Sequence, residues 1–384
     1  MRYLLVTPGY PSESKKYNNA FVHARVKQYI KAGLEVDIFS YSKSYFAKPG
    51  NGKRYKWENV EVECGNLNEL SQKLRTQKYD KILMHFAIHG AVKRVLTVAA
   101  GTPVIIWCHG VDVISWRRRM YNLRIKNIVK FCGYAVLNTI QRMYIHRAVM
   151  KYGNLITFVF VSNWLKNCAQ RDLWLSERLT NFRIIPNIID EVTFQYKQKE
   201  EVDRLKILSI RSFDFKKYAN DLTVKAVKIL SDKDYFNELE FTICGKGRLW
   251  DRTTAPLKQY SNVELINQFF SHDEIVDLHA KNGIMLMPSR QDTQGVSTCE
   301  GMSSGLVPIS SNNSAIPEYV AENCGYLASN VNEIVAAIDD LYHNPEKFLD
   351  YSKNAAAFIS NKCAARAVIP IEIALIQKEQ SETE

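Results

Sequence analysis

Short apolar runs bounded by turn residues alternate with amphipathic stretches twice along the chain, and this alternation restricts the fold more than any other feature. YLLVT (3–7), VDIFSYS (36–42), KILMHF (81–86), PVIIWC (103–108) and FVFVS (158–162) are rich in β-branched and aromatic residues, as buried strands are. Between the first two, FVHARVKQYIKAGLEV puts Phe21, Val22, Val26, Tyr29 and Ile30 on one helical face, and Gly33 ends it. The pattern lapses over the polar PNIIDEVTFQYKQKEEVDR (186–204), read as a linker. It restarts with LKILSIR (205–211), LEFTICG (239–245), VELIN (263–267), GIMLMPS (283–289) and LVPIS (306–310), separated by helical segments such as NDLTVKAVKILSD. Repeated βαβ units require a parallel sheet covered on both faces. The chain, 384 residues long, is therefore expected to form two successive α/β domains with a cleft between them. Ligands of such sheets bind beyond the carboxyl ends of the strands.

Apolar residues make up 46% and charged residues 24% of the chain, the balance of a globular protein, and no apolar run approaches the ~20 residues of a membrane-spanning helix. The N-terminal MRYLLVTPGYPS reads as a first strand rather than a secretory signal. The eight cysteines form no CxxC pair and no zinc-like spacing with histidine, so reduced core thiols in a cytoplasmic protein and no metal are expected. The net charge of +11 is local: between Val113 and Arg171 there are no acids. Eleven bases fall there, among them Arg117, Arg118, Arg119, Arg124, Lys126 and Lys130. WRRRMYNLRIKNIVKF interleaves bases with Trp116, Tyr121, Leu123, Ile125 and Phe131, as an interfacial helix does. The readings are a solvated basic face over a core helix, an anionic lipid surface, or RNA; no RNA-binding signature accompanies the charge.

The candidate site lies in DTQGVSTCEGMSSGLVPIS (292–310). Ser297-Thr298-Cys299-Glu300 has the capping-box pattern, Ser297 capping and Glu300 reaching back, with Gly305 ending a helix of about two turns. Alternatively, the turn into that helix exposes the N–H groups of Gly295, Val296 and Ser297 to a phosphate, leaving Glu300 for neutral hydroxyls such as a ribose. The cations opposite would be Arg211, just past a strand, with Lys216 or Lys217; Gly245 opens a third strand-end loop, GKG. His109, in WCHGVD, ends a strand of the first domain.

The order of these pieces resembles the glycosyltransferases of family 4. The matching motifs are PGYPS, FVH, HF (85–86), HGVD (109–112), VSNWL (161–165), IPNIID (185–190), Arg211 to Lys217, GKG, SHDEI (271–275), PSR (288–290), the pair Asp292 and Glu300, and GLVPISSNNSAIPEYV. The resemblance implies the GT-B fold of two Rossmann-like domains, here 1–186 for the acceptor and 187–362 for a nucleotide-sugar, with a C-terminal helix of about 363–384, broken at Pro370, packing back onto the first domain. It implies metal-free transfer from a nucleoside-diphosphate sugar, UDP before GDP, to a polysaccharide, lipid-linked oligosaccharide or glycolipid, with retention of anomeric configuration. Glu300 would hold the ribose, Asp292 the donor sugar, Arg211 and Lys217 (or Lys216) the diphosphate, and His109 would stand near the reaction centre. Three positions depart from the family pattern: Asp292 stands where Glu is usual, Asn18-Asn19-Ala20 precedes Phe21 in place of a glycine-rich loop, and Tyr218 follows Lys217 in place of Gly. The location expected is the cytoplasm or the inner face of the cytoplasmic membrane, with nucleic acid disfavoured. The alternatives are a sugar-nucleotide epimerase or hydrolase on the same fold, and a non-catalytic basic module binding membrane or nucleic acid.

Overall fold

The structure, a computed structural model, describes residues 1–16, 18–41, 53–123 and 127–378. Tyr17, Ser42, Arg124, Ile125, Lys126 and the last six residues, on which parts of the sequence reading fall, lie outside them. The chain divides into two compact units, Met1–Ile188 with Val368–Glu384, and Ile189–Ala367. The division falls two residues later than the motif order implied, and the return to unit 1 begins at 368 rather than about 363.

Unit 1 is built on β1 (Arg2–Thr7), β2 (Glu35–Tyr41), β3 (Lys53–Trp57), β4 (Val60–Gly65), β5 (Lys81–His85), β6 (Val104–Cys108), β7 (Ile156–Phe160) and β8 (Phe182–Ile184). Their order is β3-β4-β2-β1-β5-β6-β7-β8, parallel throughout except for the antiparallel pair β3–β4. The helices are α1 (Ala20–Lys31), α2 (Leu67–Thr76), α3 (His89–Val98), α4 (Ile128–Tyr152) and α5 (Asn163–Asp172). β1, β5, β6 and β7 are nearly continuous apolar runs because helices cover both faces of the sheet.

Unit 2 holds β9 (Lys206–Ile210), β10 (Glu240–Cys244), β11 (Val263–Ile266), β12 (Ile284–Met287), β13 (Val307–Ser311) and β14 (Tyr326–Ala328) in the order β11-β10-β9-β12-β13-β14. That is the doubly wound order, with all strands parallel, and the side on which successive strands are added reverses between β9 and β12. Its helices are α6 (Asn220–Leu230), α7 (Trp250–Thr254), α8 (His272–Lys281), α9 (Val296–Ser303), α10 (Val331–His343) and α11 (Pro345–Cys363). The last helix, α12 (Ala365–Gln377), crosses into unit 1.

What fastens α12 is a charge buried in the middle of unit 1. Arg25 on α1 and Glu372 on α12 are both fully buried, with Nε donating to Oε1 at 3.0 Å. Tyr29 Oη donates to the other carboxylate oxygen at 2.6 Å, and Trp107 Nε1 to the first at 3.1 Å. The remaining guanidinium donors reach Phe21 O, Pro186 O and Asn187 Oδ1. The Lys81 ammonium, also buried, binds the carbonyl of Ile376 in the last turn of α12 and that of Lys378 just past its end, where the helix dipole favours a cation.

Several sequence expectations need correction. Ile30 is exposed, and it is Arg25 that completes the buried face of α1. The break at the C-terminus falls at Ala364, whose backbone is extended, while α12 runs through Pro370. The stretch 186–204 is polar but packed: Phe194 and Lys199 are buried, Lys199 donates to His279 O at 2.7 Å, and Phe194 O accepts from Ser303 Oγ. Cys132 is exposed and Cys64 half-buried, so two of the eight thiols lie outside the core. The basic stretch is not one helix: Trp116–Asn122 is a tight 3-10 segment and the long helix begins at Ile128.

Candidate functional site

In unit 2 the sheet order fixes the site. β9 lies between β10 and β12, so the loops leaving their carboxyl ends are neighbours at the reversal point. Arg211 leaves β9, Gly245 leaves β10, and the loop running to Gly295 leaves β12. The β9 and β10 loops touch: a Cβ on Gly245 would lie 1.8 Å from Arg211 O, and Gly245 has φ 146. Glycine is demanded there by the approach of two backbones, which is what the GKG turn encodes.

The Arg211 side chain is buried, with Nη2 donating to Met287 O at 3.1 Å and the guanidinium 5.3 Å from the Tyr218 ring centre. Its Nε is buried without a hydrogen-bond acceptor. Burial pulls its pKa down, opposed by the nearby Asp292 carboxylate. Lys217 sits 3.9 Å from Asp292 Oδ2, whereas Lys216 is exposed and contributes its carbonyl to Arg290. Of the two lysines left open by the sequence, Lys217 is the one gathered with Arg211 and Asp292. The chain then turns through Ala219 at φ 47, ψ 31, a left-handed cap of α6 that costs a non-glycine residue about 1–2 kcal/mol.

The capping-box reading of α9 does not hold. Gly295, at φ 81, is the N-cap, with no side-chain cap, so Ser297 is an exposed first-turn residue. Uncapped, the first N–H groups of α9 stay available, which favours the phosphate alternative. The Thr298 hydroxyl in the same turn is buried without a partner. Glu300, one turn further on, is half-buried, and its pKa is pushed up to about 8 by burial and then by the Asp190 charge. The sign follows from linkage: the folded state holds this proton more tightly than the unfolded chain, so stability is lost as pH rises from the ordinary 4.5 through about 8. Glu300→Gln should melt like the parent at pH 5 and be more stable at pH 8.5, on the order of 1–3 kcal/mol. Identical pH profiles for the two proteins would remove Glu300 as the source.

In unit 1, His109 follows β6 and His85 ends β5, with Nε2 and Nδ1 3.2 Å apart and the rings stacked. Burial, and then the Arg25 charge, lowers His109 to a pKa of about 3, and burial first of all holds His85 well below its ordinary value, so both are neutral. The other His85 nitrogen, Nε2, is buried without a partner. Asp112 ties the two strand-end loops together, accepting from Ala87 N at 2.9 Å and His109 N at 3.2 Å. Gln141 on α4 braces them, donating to Ala87 O and Asp112 O. At the β1 loop, Asn19 takes a left-handed conformation (φ 55) and donates to Pro8 O and Gly9 O. Asparagine thus does the work that a glycine would do. His85, Asp112 and Gln141 were not singled out by sequence; the strand-end position of the HF and HGVD motifs was the signal for the first two. Among the described residues no three His, Cys, Asp or Glu side chains converge to hold a metal.

The two parallel-sheet units have the GT-B fold of glycosyltransferases. The family described as Glycosyl transferases group 1 matches residues 191–358, nearly all of unit 2. Among similar solved structures are sucrose-phosphate synthase from Thermosynechococcus elongatus (TM-score 0.70, 13% identity, 98% of each chain covered). Anabaena HepE in complex with UDP gives a TM-score of 0.70 at 10% identity, covering 98% of this chain and 99% of that one. S. aureus TarM, solved with fondaparinux, α-GlcNAc-glycerol and UDP, gives 0.66 at 12% identity, covering 98% and 100%. A search of curated proteins found no match.

Proposed function

We propose that the protein is a retaining, metal-independent glycosyltransferase of family 4 that moves a hexosyl group from a UDP-sugar to a polysaccharide or lipid-linked acceptor. The observation that carries this reading is the clustering of Arg211, Lys217 and Asp292 beside the uncapped start of α9, in the unit that matches the glycosyltransferase family. UDP is favoured over GDP because two of the similar structures hold UDP.

Negative charge grows on the β-phosphate as the sugar–oxygen bond breaks, and donors fixed in advance stabilise that charge most. Arg211, with its unpartnered Nε, and Lys217 take this role in place of a divalent cation, and the first N–H groups of α9 join them. Glu300 takes the ribose hydroxyls and Asp292 those of the donor sugar. A neutral His109 hydrogen-bonds near the reacting carbon without adding a charge that would oppose the developing positive centre. The acceptor hydroxyl attacks from the side the diphosphate leaves.

The test is thermal unfolding with UDP, GDP and ADP, each with magnesium and with EDTA, followed by turnover of UDP-sugars on candidate acceptors. At ~100 times its dissociation constant UDP should add about 2.7 kcal/mol of stability, unchanged by EDTA. Failure of every nucleotide to shift the transition would overturn the reading. Acceptor-independent release of free sugar would move it to a hydrolase.

A further inference from the structure

The site above uses only the inner face of α4, the longest helix among the described residues, through Gln141, and its outer face is unlike a solvated surface. On its inner side Phe131, Asn138, Gln141, Arg142, Ile145, Ala148 and Val149 are buried. On the opposite side Val129, Val136, Leu137, Ile140, Met143 and Met150 are exposed, Val129 by 83% and Leu137 by 68%. Spacings of three, four and seven residues put these six on one arc. From Cys132 to Met143, a run of about 16 Å along the helix, that arc carries no charge. The charges on the arc are all cationic and stand toward its ends: Lys130 before the run, Arg147 and Lys151 after it, each exposed. An apolar stripe of this length on a soluble surface needs a cover.

Adjoining the inner edge of α4 is a hollow of about 490 Å³ whose lining includes Arg117, Arg118, Arg142, Arg171, Trp116 and Trp174. Two of its arginines are already used: Arg118 pairs with Asp172 through both Nε (2.7 Å) and Nη2 (3.0 Å), and Arg142 donates to Asp172 O and Ser115 Oγ. Arg117 and Arg171 remain exposed, Arg117 beside the Trp116 ring. Asp172 thus fixes the shape of the hollow while leaving its outer cations to an anion.

We infer that the outer face of α4 is a membrane-docking surface that inserts Val136, Leu137, Ile140 and Met143 into an anionic bilayer. The flanking cations, with Arg117 and Arg171, meet the lipid phosphates. Charge complementarity selects the occupant: every charged residue on α4 is basic, which suits an anionic lipid surface and would set two copies of the same face against each other. No helix among the described residues is long and apolar enough to cross a membrane, so the helix lies in the interface plane. The inference is independent of the sugar-transfer reading, because lipid binding needs no turnover.

The test uses the full chain with vesicles of phosphatidylglycerol, or of phosphatidylcholine alone. Cys132, the exposed thiol within the stripe, carries a polarity-sensitive dye. Binding to phosphatidylglycerol vesicles with a blue shift of the dye is expected, and at least about tenfold weaker binding to phosphatidylcholine. Leu137→Asp with Ile140→Asp should weaken phosphatidylglycerol binding at least about tenfold, at exposed positions where the melting temperature stays unchanged. Arg147→Glu with Lys151→Glu should weaken it too, and less so as salt rises. Absence of binding at low salt overturns the inference. So does binding that the two aspartates leave intact, since that is a purely electrostatic surface. A wild-type dimer dissolved by the same aspartates also overturns it, because a second copy would then cover the stripe.

Discussion

Arg211→Ala is expected to lower kcat by about 10²–10³-fold with the fold intact. The rate figure is what removal of one preorganised donor to a developing anion costs, about 2.7–4 kcal/mol. The fold should survive because Met287 O, which loses the Arg211 donor, still accepts from Ser310 Oγ at 2.8 Å. Removing the guanidinium also abolishes a buried charge with an unpartnered Nε, which offsets part of the lost packing against Tyr218. Arg211→Lys should recover little, because an ammonium restores charge without the fork of donors. Steady-state kinetics with circular dichroism decides it: near-parental turnover in a folded variant removes Arg211 from the reaction.

The largest effect on stability is expected from Glu372→Ala, which should destabilise unit 1 by roughly 3–5 kcal/mol. The cost is not the lost pair alone. Arg25 would keep a charge with no acid beside it in a fully buried site, and Tyr29 and Trp107 would each lose an acceptor. For a unit of this size that corresponds to a fall of roughly 6–20 °C in its melting temperature. The double variant Arg25→Met with Glu372→Leu should regain much of the loss, since a well-packed apolar pair avoids the desolvation of both ions. A single-variant loss below about 1 kcal/mol would show that the pair contributes little.

These two residues also mark how much the sequence disclosed. Arg211 was legible because a strand pattern ended one residue before it, and parallel sheets bind ligands there. Lys217 joins it on the same loop after β9, and Asp292 because β12, whose loop carries it, is the neighbour of β9 in the doubly wound order. Arg25 was not legible: it sits on an apolar helical face as an apparent interruption, and its partner is 347 residues away. Local periodicity carries no information about such a pairing. The strands that escaped notice are edge or near-edge strands. β8 and β14 have three residues each, and β3, KRYKW, carries the charges that keep an edge from pairing further. The start of α9 was misassigned for a related reason. Ser-x-x-Glu satisfies the capping-box pattern, but the left-handed Gly295 two residues earlier starts the helix sooner, so the motif was real as a string and wrong in register. The apolar arc of α4 was hidden because both sides of the helix are apolar, and only burial separates the packed side from the open one.

The crossing of α12 has a consequence for biosynthesis. The described strands of unit 1 have all been made once Ile188 is added, yet its buried arginine has no counter-charge and Lys81 no carbonyls to bind until Lys378 is made, 190 residues later (378 − 188). At 5–20 residues per second that is a delay of roughly 10–40 s. Unit 2, which is continuous in the chain, is complete at Ala367, before the counter-charge of unit 1 has been made. The nascent first half must therefore wait, open along the groove that α12 will fill, until Glu372 and Lys378 have been made.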